Sequence, residues 1–195
     1  MINLFLAEFL VVINQIYNNF QYKFHFLFCF VLFFFSFIVC PKGTFKSIVG
    51  DELCQTCPSH SSVMHRGASE CRCDTGYYRS PKDPKWMSCT QPPSAPQNLT
   101  VSFMDQSTVI LTWIAPKYQG GRNDTVYRIV CDYCPTSTTY LPAQDNINET
   151  KVTISGLNPV TTYRFQVFAE NGVSGYDSIQ SAEVSATTEA SGKRL

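Results

Sequence analysis

From about residue 97 onward the chain breaks into short segments in which every second residue is apolar. Side chains alternate between the two faces of a strand, so such a segment is one with a single buried face. Thr108–Ile114 puts Val109, Leu111 and Trp113 on one side, and Val126–Cys131 puts Tyr127 and Ile129 there. Lys151–Ile154 offers Val152 and Ile154. Tyr163–Ala169 turns Tyr163, Phe165 and Val167 inward and Arg164 and Gln166 outward, and Ser181–Thr187 closes with Val184 and Ala186. Leu99 and Val101 mark a sixth strand near the start, and Thr138–Leu141 is placed for a seventh. Seven short strands separated by turn residues over about 95 residues predict an antiparallel β-sandwich.

The stretch before it has a different pattern. Residues 40–90 carry six cysteines (Cys40, Cys54, Cys57, Cys71, Cys73 and Cys89) among Gly, Ser, Pro, Asp and Lys. Apolar residues such as Phe45, Leu53, Val63, Tyr77 and Trp86 are scattered without period. So few hydrophobes cannot offset the entropy of ordering the chain. Three disulfides, each contributing about 2–4 kcal/mol, can. Residues 1–39 differ again, holding 11 of the 15 phenylalanines, with an almost unbroken apolar run over Phe26–Val39. That run is short for a bilayer span, which takes about 20 residues. It has the length of a signal-peptide core, yet Lys23 is the only Lys or Arg before it and no small-residue cleavage site precedes Cys40. A signal sequence, a membrane anchor and a gene-model artefact are the three readings, and none gives the segment a place in the fold. The expected organisation is therefore a hydrophobic segment at 1–39, a cysteine-rich module at 40–90, a sandwich at 91–190 and a truncated tail at 191–195.

Composition narrows the function class. Fifteen basic residues balance 15 acidic ones without a charge run, so nothing points to nucleic acid or to an anionic membrane surface. Eight of the nine cysteines lie between Cys40 and Cys134, and three Asn-x-Thr acceptors stand at Asn98, Asn123 and Asn148. Together these predict an oxidising, extracellular compartment with glycosylation at those asparagines. Metal is the rival use of the cysteines, because Cys54-x2-Cys57-x2-His60-x4-His65 contains zinc-ligand types. Its two pairs are too close for a ββα finger, which separates them by about 12 residues. His60 and His65 read as exposed loop residues, and no metal or cofactor is expected. Cys131-x2-Cys134 lacks the βαβ setting of a redox motif: either the two bond in a tight local ring, or one is buried and free.

Family resemblance sharpens the picture. Pro93-x2-Pro96-x2-Leu99, Trp113 in the second strand, and Leu157-x-Pro159-x-Thr161-x-Tyr163 resemble a fibronectin type III domain. That resemblance makes Trp113 and Leu157 core residues and Tyr163 a tyrosine corner, whose hydroxyl bonds back to the chain. The fold class is then all-β, a small disulfide-rich module followed by a seven-stranded fibronectin type III (immunoglobulin-like) sandwich. Gly121-Arg122-Asn123-Asp124 has the wrong order and the wrong loop for an integrin-binding Arg-Gly-Asp. Cys71-x-Cys73-x2-Gly76-Tyr77 followed by Cys89 resembles the back half of an EGF-like module, and Cys40-Pro41-x-Gly43-Thr44-Phe45 with Cys54-x2-Cys57 resembles the opening of a TNF-receptor-like repeat. Both analogies imply a Cys73–Cys89 bond. They differ on the rest: Cys40–Cys57 with Cys54–Cys71, or Cys40–Cys54 with Cys57–Cys71.

Both modules and their junction, Cys89-Thr90-x-Pro92-Pro93-Ser94-Ala95-Pro96, together resemble the Eph (ephrin) receptor tyrosine kinases. So does Val167-x-Ala169-x-Asn171-Gly172-Val173-Ser174. The resemblance implies a cell-surface signalling receptor, single-pass in the family, with a spacer and lateral-contact role for this region and partners in an ephrin signalling complex. Cys131 and Cys134 resemble the first half of a double cysteine pair in that family, whose second half is missing here. The chain lacks a Gly-rich loop, a Val-Ala-x-Lys strand and a His-Arg-Asp loop, so no catalysis is expected of it. The alternative function is a matrix or adhesion protein that reuses both modules. Since residues 40–188 leave no room for a globular ligand domain, a chain produced from residue 40 is expected not to capture ephrin. Saturable, sub-micromolar binding to surface-immobilised ephrin would contradict that.

Overall fold

The computed structural model describes residues 39–50 and 52–192; all but the last residue of the hydrophobic segment at 1–39, Asp51 and the last three residues lie outside the described part. Two compact units result. One ends at Cys57 and resumes over Ser62–Arg72; the other takes Pro58–Ser61 and the chain from Cys73 onward. The division thus falls within the cysteine-rich stretch, at Cys73, rather than near residue 91.

In the first unit the strand Thr44–Phe45 pairs antiparallel with Gln55–Thr56. Its core is small: Phe45, Val63, Ala68 and Cys71 are buried, with Cys57 packed against them. Leu53 is exposed and adds nothing to it. The disulfides Cys40–Cys54 and Cys57–Cys71, with Cα atoms 5.5 and 5.6 Å apart, staple this minimal core. The structure therefore has the second of the two pairings.

The second unit is dominated by the sandwich. Its strands are β1 (Gln97–Met104), β2 (Thr108–Ile114), β3 (Val126–Asp132), β4 (Thr139–Leu141), β5 (Lys151–Ser155), β6 (Thr162–Glu170) and β7 (Ser181–Thr187). One sheet runs β1-β2-β5-β4 and the other β7-β6-β3, all antiparallel. The period-two pattern is what closes them face to face. Val109, Leu111 and Trp113 from β2 meet Tyr127 and Ile129 from β3, Val152 and Ile154 from β5, and Tyr163, Phe165 and Val167 from β6. Each such side chain, once buried, stabilises the fold by about 1.5–3 kcal/mol. Trp113 meets Tyr127 edge-on at 5.3 Å between ring centroids, the arrangement ring quadrupoles favour.

At the turn into β6, the Asn158 backbone N–H donates to the buried Tyr163 hydroxyl at 2.9 Å, five residues back along the chain. Leu157 is buried beside it, and its N–H donates to the Ser107 carbonyl at 3.0 Å. Thr188 completes the lock: its hydroxyl donates to the Asn158 carbonyl at 2.6 Å and accepts from the Thr161 N–H at 3.0 Å. Gly156 has φ +84°, and a Cβ there would lie 2.8 Å from the Ser137 carbonyl oxygen, so only glycine fits that bend.

These contacts order three substitutions by cost. Leu157→Ala opens a cavity and is expected to cost about 2–5 kcal/mol. Tyr163→Phe removes the hydroxyl and orphans the Asn158 N–H, for about 1–3 kcal/mol. Arg164 is half exposed and pairs with Glu183 and Asp132 across the sheet surface, so Arg164→Ala is expected to cost no more than about 0.5 kcal/mol. Chemical denaturation of the three variants checks the order; Arg164→Ala matching Leu157→Ala would mean that the faces of β6 are exchanged.

Candidate functional site: an arginine-centred junction

Among the described residues, a dense polar arrangement lies where the chain enters the sandwich. Cys73 is bonded to Cys89 with Cα atoms 5.6 Å apart, closing a lobe of the second unit over residues 73–89. Within it the His60 ring stacks on Tyr77 at 3.9 Å, and Asp74 and Cys89 donate backbone N–H groups to the His60 and Ser59 carbonyls at 3.0 and 3.1 Å. Tyr78 and Thr90 exchange backbone hydrogen bonds of 2.7 and 2.8 Å. Arg79 donates to the Met87 carbonyl through Nε and Nη2, at 3.2 and 2.9 Å. Asp83 accepts from the Ser80 N–H at 2.8 Å. The lobe is thus stiffened by its own backbone before it touches the sandwich.

Arg122, in the β2–β3 loop, joins the two. Its Nη1 and Nη2 donate to the two Asp83 carboxylate oxygens at 2.7 and 3.1 Å. On its other edge Nε and Nη2 donate to Asp124 at 2.9 and 2.8 Å. A planar guanidinium fits two carboxylates in this forked way, and a lysine cannot. The Arg122 and Asp83 side chains are only 8% and 9% exposed, whereas Asp124 keeps 43% of its surface. Nη1 also reaches the Thr90 hydroxyl at 3.4 Å, and Asp124 accepts from the Gly172 N–H at 3.2 Å. A Cβ at Gly172 would stand 2.5 Å from Arg122 Nη2 and 3.0 Å from Asp124 Oδ2, so the glycine lets the backbone come this close.

A second set of bonds runs beside the arginine. Asn171 Nδ2 donates to the Gln91 carbonyl at 2.8 Å, and the Gln91 N–H donates to the Gly120 carbonyl at 3.0 Å. Gly120 has φ +72°, and a Cβ there would run into the Gln91 carbonyl oxygen. The Tyr118 hydroxyl donates to Gln91 Oε1 at 2.8 Å, and the Ser94 N–H to the Tyr118 carbonyl at 2.9 Å. Tyr78 stacks on Tyr176 with ring centroids 5.5 Å apart, and its hydroxyl reaches Asp177 at 3.3 Å. Burial, with Asp177 alongside, raises the Tyr78 pKa.

The sequence-derived candidates fall elsewhere. Cys54 and Cys57 are bonded to Cys40 and Cys71, so their sulfurs are committed and the zinc arrangement is not formed. His65 is exposed, with its Nδ1 3.2 Å from the Arg66 carbonyl oxygen. Cys131 and Cys134 form a local ring with Cα atoms 5.7 Å apart, the first of the two alternatives. Asn98, Asn123 and Asn148 are all exposed. Trp86, within the lobe, is exposed. The junction has no signature in the sequence: an arginine two residues before an aspartate, facing an Asp-Pro turn 39 residues earlier, carries no local pattern.

Similarity to known proteins agrees with this architecture. Residues 94–186 match the fibronectin type III domain family. Ephrin type-A receptor 4-B of Xenopus laevis is 40% identical over 158 residues, covering 76% of this chain and 16% of that protein. Ephrin type-A receptor 7 of Gallus gallus is 41% identical over 161 residues, again 76% and 16%. The similarity thus runs beyond the sandwich into the cysteine-rich stretch. The chain is a segment of an Eph receptor ectodomain. It spans about one sixth of the length of the curated relatives it matches. A solution structure of the fibronectin type-III domain of human fibronectin type III domain containing protein 3 aligns at 22% identity and TM-score 0.42, covering 53% of this chain and 92% of that one. All regular structure of the Eph segment, among the described residues, is strand or a single 3-10 turn, so none of it forms a kinase lobe.

In this Eph segment the Arg122 guanidinium holds the carboxyls of Asp83 and Asp124 below their usual range. Both protonate at lower pH in the folded chain than in the unfolded one. The stability they contribute is present in full above the ordinary Asp value of about 4 and fades as the pH falls through the folded values. Asp83→Asn is therefore expected to destabilise the chain at pH 7, with the gap to wild type level down to about pH 5 and narrowing below about pH 4. Denaturant melts of both proteins between pH 3 and 7 measure it; a gap that widens in acid would contradict the pairing.

Proposed function

We propose that this segment is a stiff spacer and lateral-contact region of an ephrin-family cell-surface receptor. On this reading it lies outside the cell, carries N-linked glycans on Asn98, Asn123 and Asn148, and reaches the membrane through the receptor it belongs to. Its partners are other proteins of the cell surface, in an ephrin signalling complex and beside neighbouring receptors. The supporting observation is the nearly closed Arg122–Asp83 pair with its Asp124 brace. A mere tether needs no such device, because Gly- and Ser-rich linkers join domains flexibly. Here Gln91–Pro96 is instead bonded to Gly120, Tyr118 and Asn171. Stiffness has a use only where distance and angle between flanking parts matter, which is what a receptor that clusters requires. The four disulfides and exposed Asn-x-Thr acceptors suit the same compartment.

Spin labels on unnatural residues at Lys82 and Ser185 test the spacer. Double electron–electron resonance is expected to return one narrow distance distribution in the chain, broadening in Arg122→Ala. A broad distribution in the unsubstituted chain would remove the spacer role.

A further inference from the structure

Asn171-Gly172, directly after β6, is the one Asn-Gly step in the sequence. Such a step is prone to deamidation, because no Cβ on the second residue hinders its nitrogen from attacking the asparagine side chain. Here every polar group of the asparagine is engaged. Its backbone N–H donates to Ser174 Oγ at 2.8 Å, and its carbonyl accepts from the Ser174 N–H at 3.1 Å. Nδ2 donates to the Gln91 carbonyl at 2.8 Å and reaches the Gln119 carbonyl at 3.4 Å. Oδ1 accepts from the Val173 N–H at 3.0 Å, with Ser174 Oγ 3.3 Å away. The partners fix the orientation of the amide: two carbonyl oxygens face Nδ2, and an N–H faces Oδ1. The Gly172 N–H donates to Asp124 Oδ2 at 3.2 Å. Arg122 holds the Asp124 carboxyl below its usual range, so that carboxylate is too weak a base to take the proton. Val173 is wholly buried and pins the chain just beyond.

We propose that Asn171 is a deamidation site that the closed junction protects, and that the modified residue cannot rebuild the junction. In the reaction the Gly172 nitrogen attacks Asn171 Cγ and forms a ring C–N bond. The Cγ–Nδ2 bond breaks, and Nδ2 leaves as ammonia with the proton that Gly172 gives up. Water then opens the succinimide ring at either carbonyl and leaves aspartate or isoaspartate. One water is consumed and one ammonia released, with no oxidant or cofactor. The closed junction withholds the first step. Gly172 must leave Asp124, and the amide must turn out of its bonds to Gln91 and Val173. There is little room for that turn, since a Cβ on Gly172 would stand 2.5 Å from Arg122 Nη2. Gly172 itself is exposed, so water reaches the ring once it has formed. Deamidation is slow beside the opening and closing of such a contact, so its rate follows the fraction of molecules that are open. The product reverses what the site needs. A carboxylate has no hydrogen to give, so an oxygen would face the Gln91 and Gln119 carbonyls where Nδ2 now donates. It also adds a negative charge near Asp124, and isoaspartate inserts a methylene into the backbone beside the tight Gly172 contact. Openings of the junction are thereby recorded irreversibly.

Peptide mapping by mass spectrometry tests the proposal. Trypsin releases residues 165–193, in which Asn171 is the only asparagine, so a conversion of amide to acid there is read directly. The chain is incubated at neutral pH in buffer and in denaturant, beside Arg122→Ala and Leu157→Ala in buffer. The folded chain is expected to deamidate at least about tenfold more slowly than the denatured one. Arg122→Ala, which opens the junction, is expected to react at least about tenfold faster than the unsubstituted chain, and Leu157→Ala, which loosens the core, within about twofold of it. A folded chain as reactive as the denatured one would overturn the protection. Equal acceleration in both variants would overturn the junction as its source and place it in global folding. Should Arg122→Ala not fold, Arg122→Lys keeps the charge without the fork and is expected to react at least about threefold faster than the unsubstituted chain; an unchanged rate would contradict the proposal. Asn171→Asp carries the product directly. Its Gln91 N–H, bonded to the Gly120 carbonyl in the closed junction, is expected to exchange with solvent at least about tenfold faster. Exchange at the unsubstituted rate would overturn the claim that the modified residue cannot rebuild the junction. Neither measurement reads the Lys82–Ser185 distances, so the spacer role stands or falls separately.

Discussion

One guanidinium between two carboxylates decides how this molecule is put together. Arg122 and Asp83 are almost wholly removed from water, and an ion at such a site is costly unless its partner and remaining hydrogen bonds are in place. The site meets that condition through Thr90, Asp124, Ser80 and the Gly172 N–H. Gly172 and Gly120 are there because the close approach leaves no room for a Cβ. Remove the arginine and Asp83 is left as a buried, uncompensated charge, and the 73–89 lobe is left to the Tyr78 stack on Tyr176 and the Tyr78 bond to Asp177. The Eph segment thus uses an ion pair for geometry, where its small apolar content could not hold the lobe.

The sandwich has a different kind of support. Its sheets are held by alternating apolar residues, and its connections are fixed by backbone-directed bonds such as Asn158 to the Tyr163 hydroxyl. The apolar core contacts lie away from water and respond to volume, whereas the junction responds to acid. The same chain therefore carries a core insensitive to pH and an entrance that is not.

Much of this was legible beforehand. Alternation marks strands wherever one face is buried, and each of β2, β5, β6 and β7 has that signature; Leu157-x-Pro159-x-Thr161-x-Tyr163 announces the corner because its spacing is local. Thr188 escaped notice, since a threonine after the last strand looks like any solvated turn residue until it meets the Asn158 carbonyl. The junction escaped for the same reason on a longer scale. Asp83, Arg122 and Asn171 come from three distant parts of the chain and become a site only once the sheets have closed. The exposure of Phe103 needed the register, including the shift between Val101 and Phe103 that sets Phe103 opposite Ile110. Alternation from Val101 would have given Phe103 to the core.

The most direct measurement is a double-mutant cycle of Arg122→Ala and Asp83→Ala, read by equilibrium denaturation at pH 7. If the guanidinium holds the lobe to the sandwich, each single change removes one half of a buried pair and costs about 3–5 kcal/mol. The double variant is then much less destabilised than the sum, with a coupling above about 1 kcal/mol. Additivity within about 0.5 kcal/mol would contradict the account.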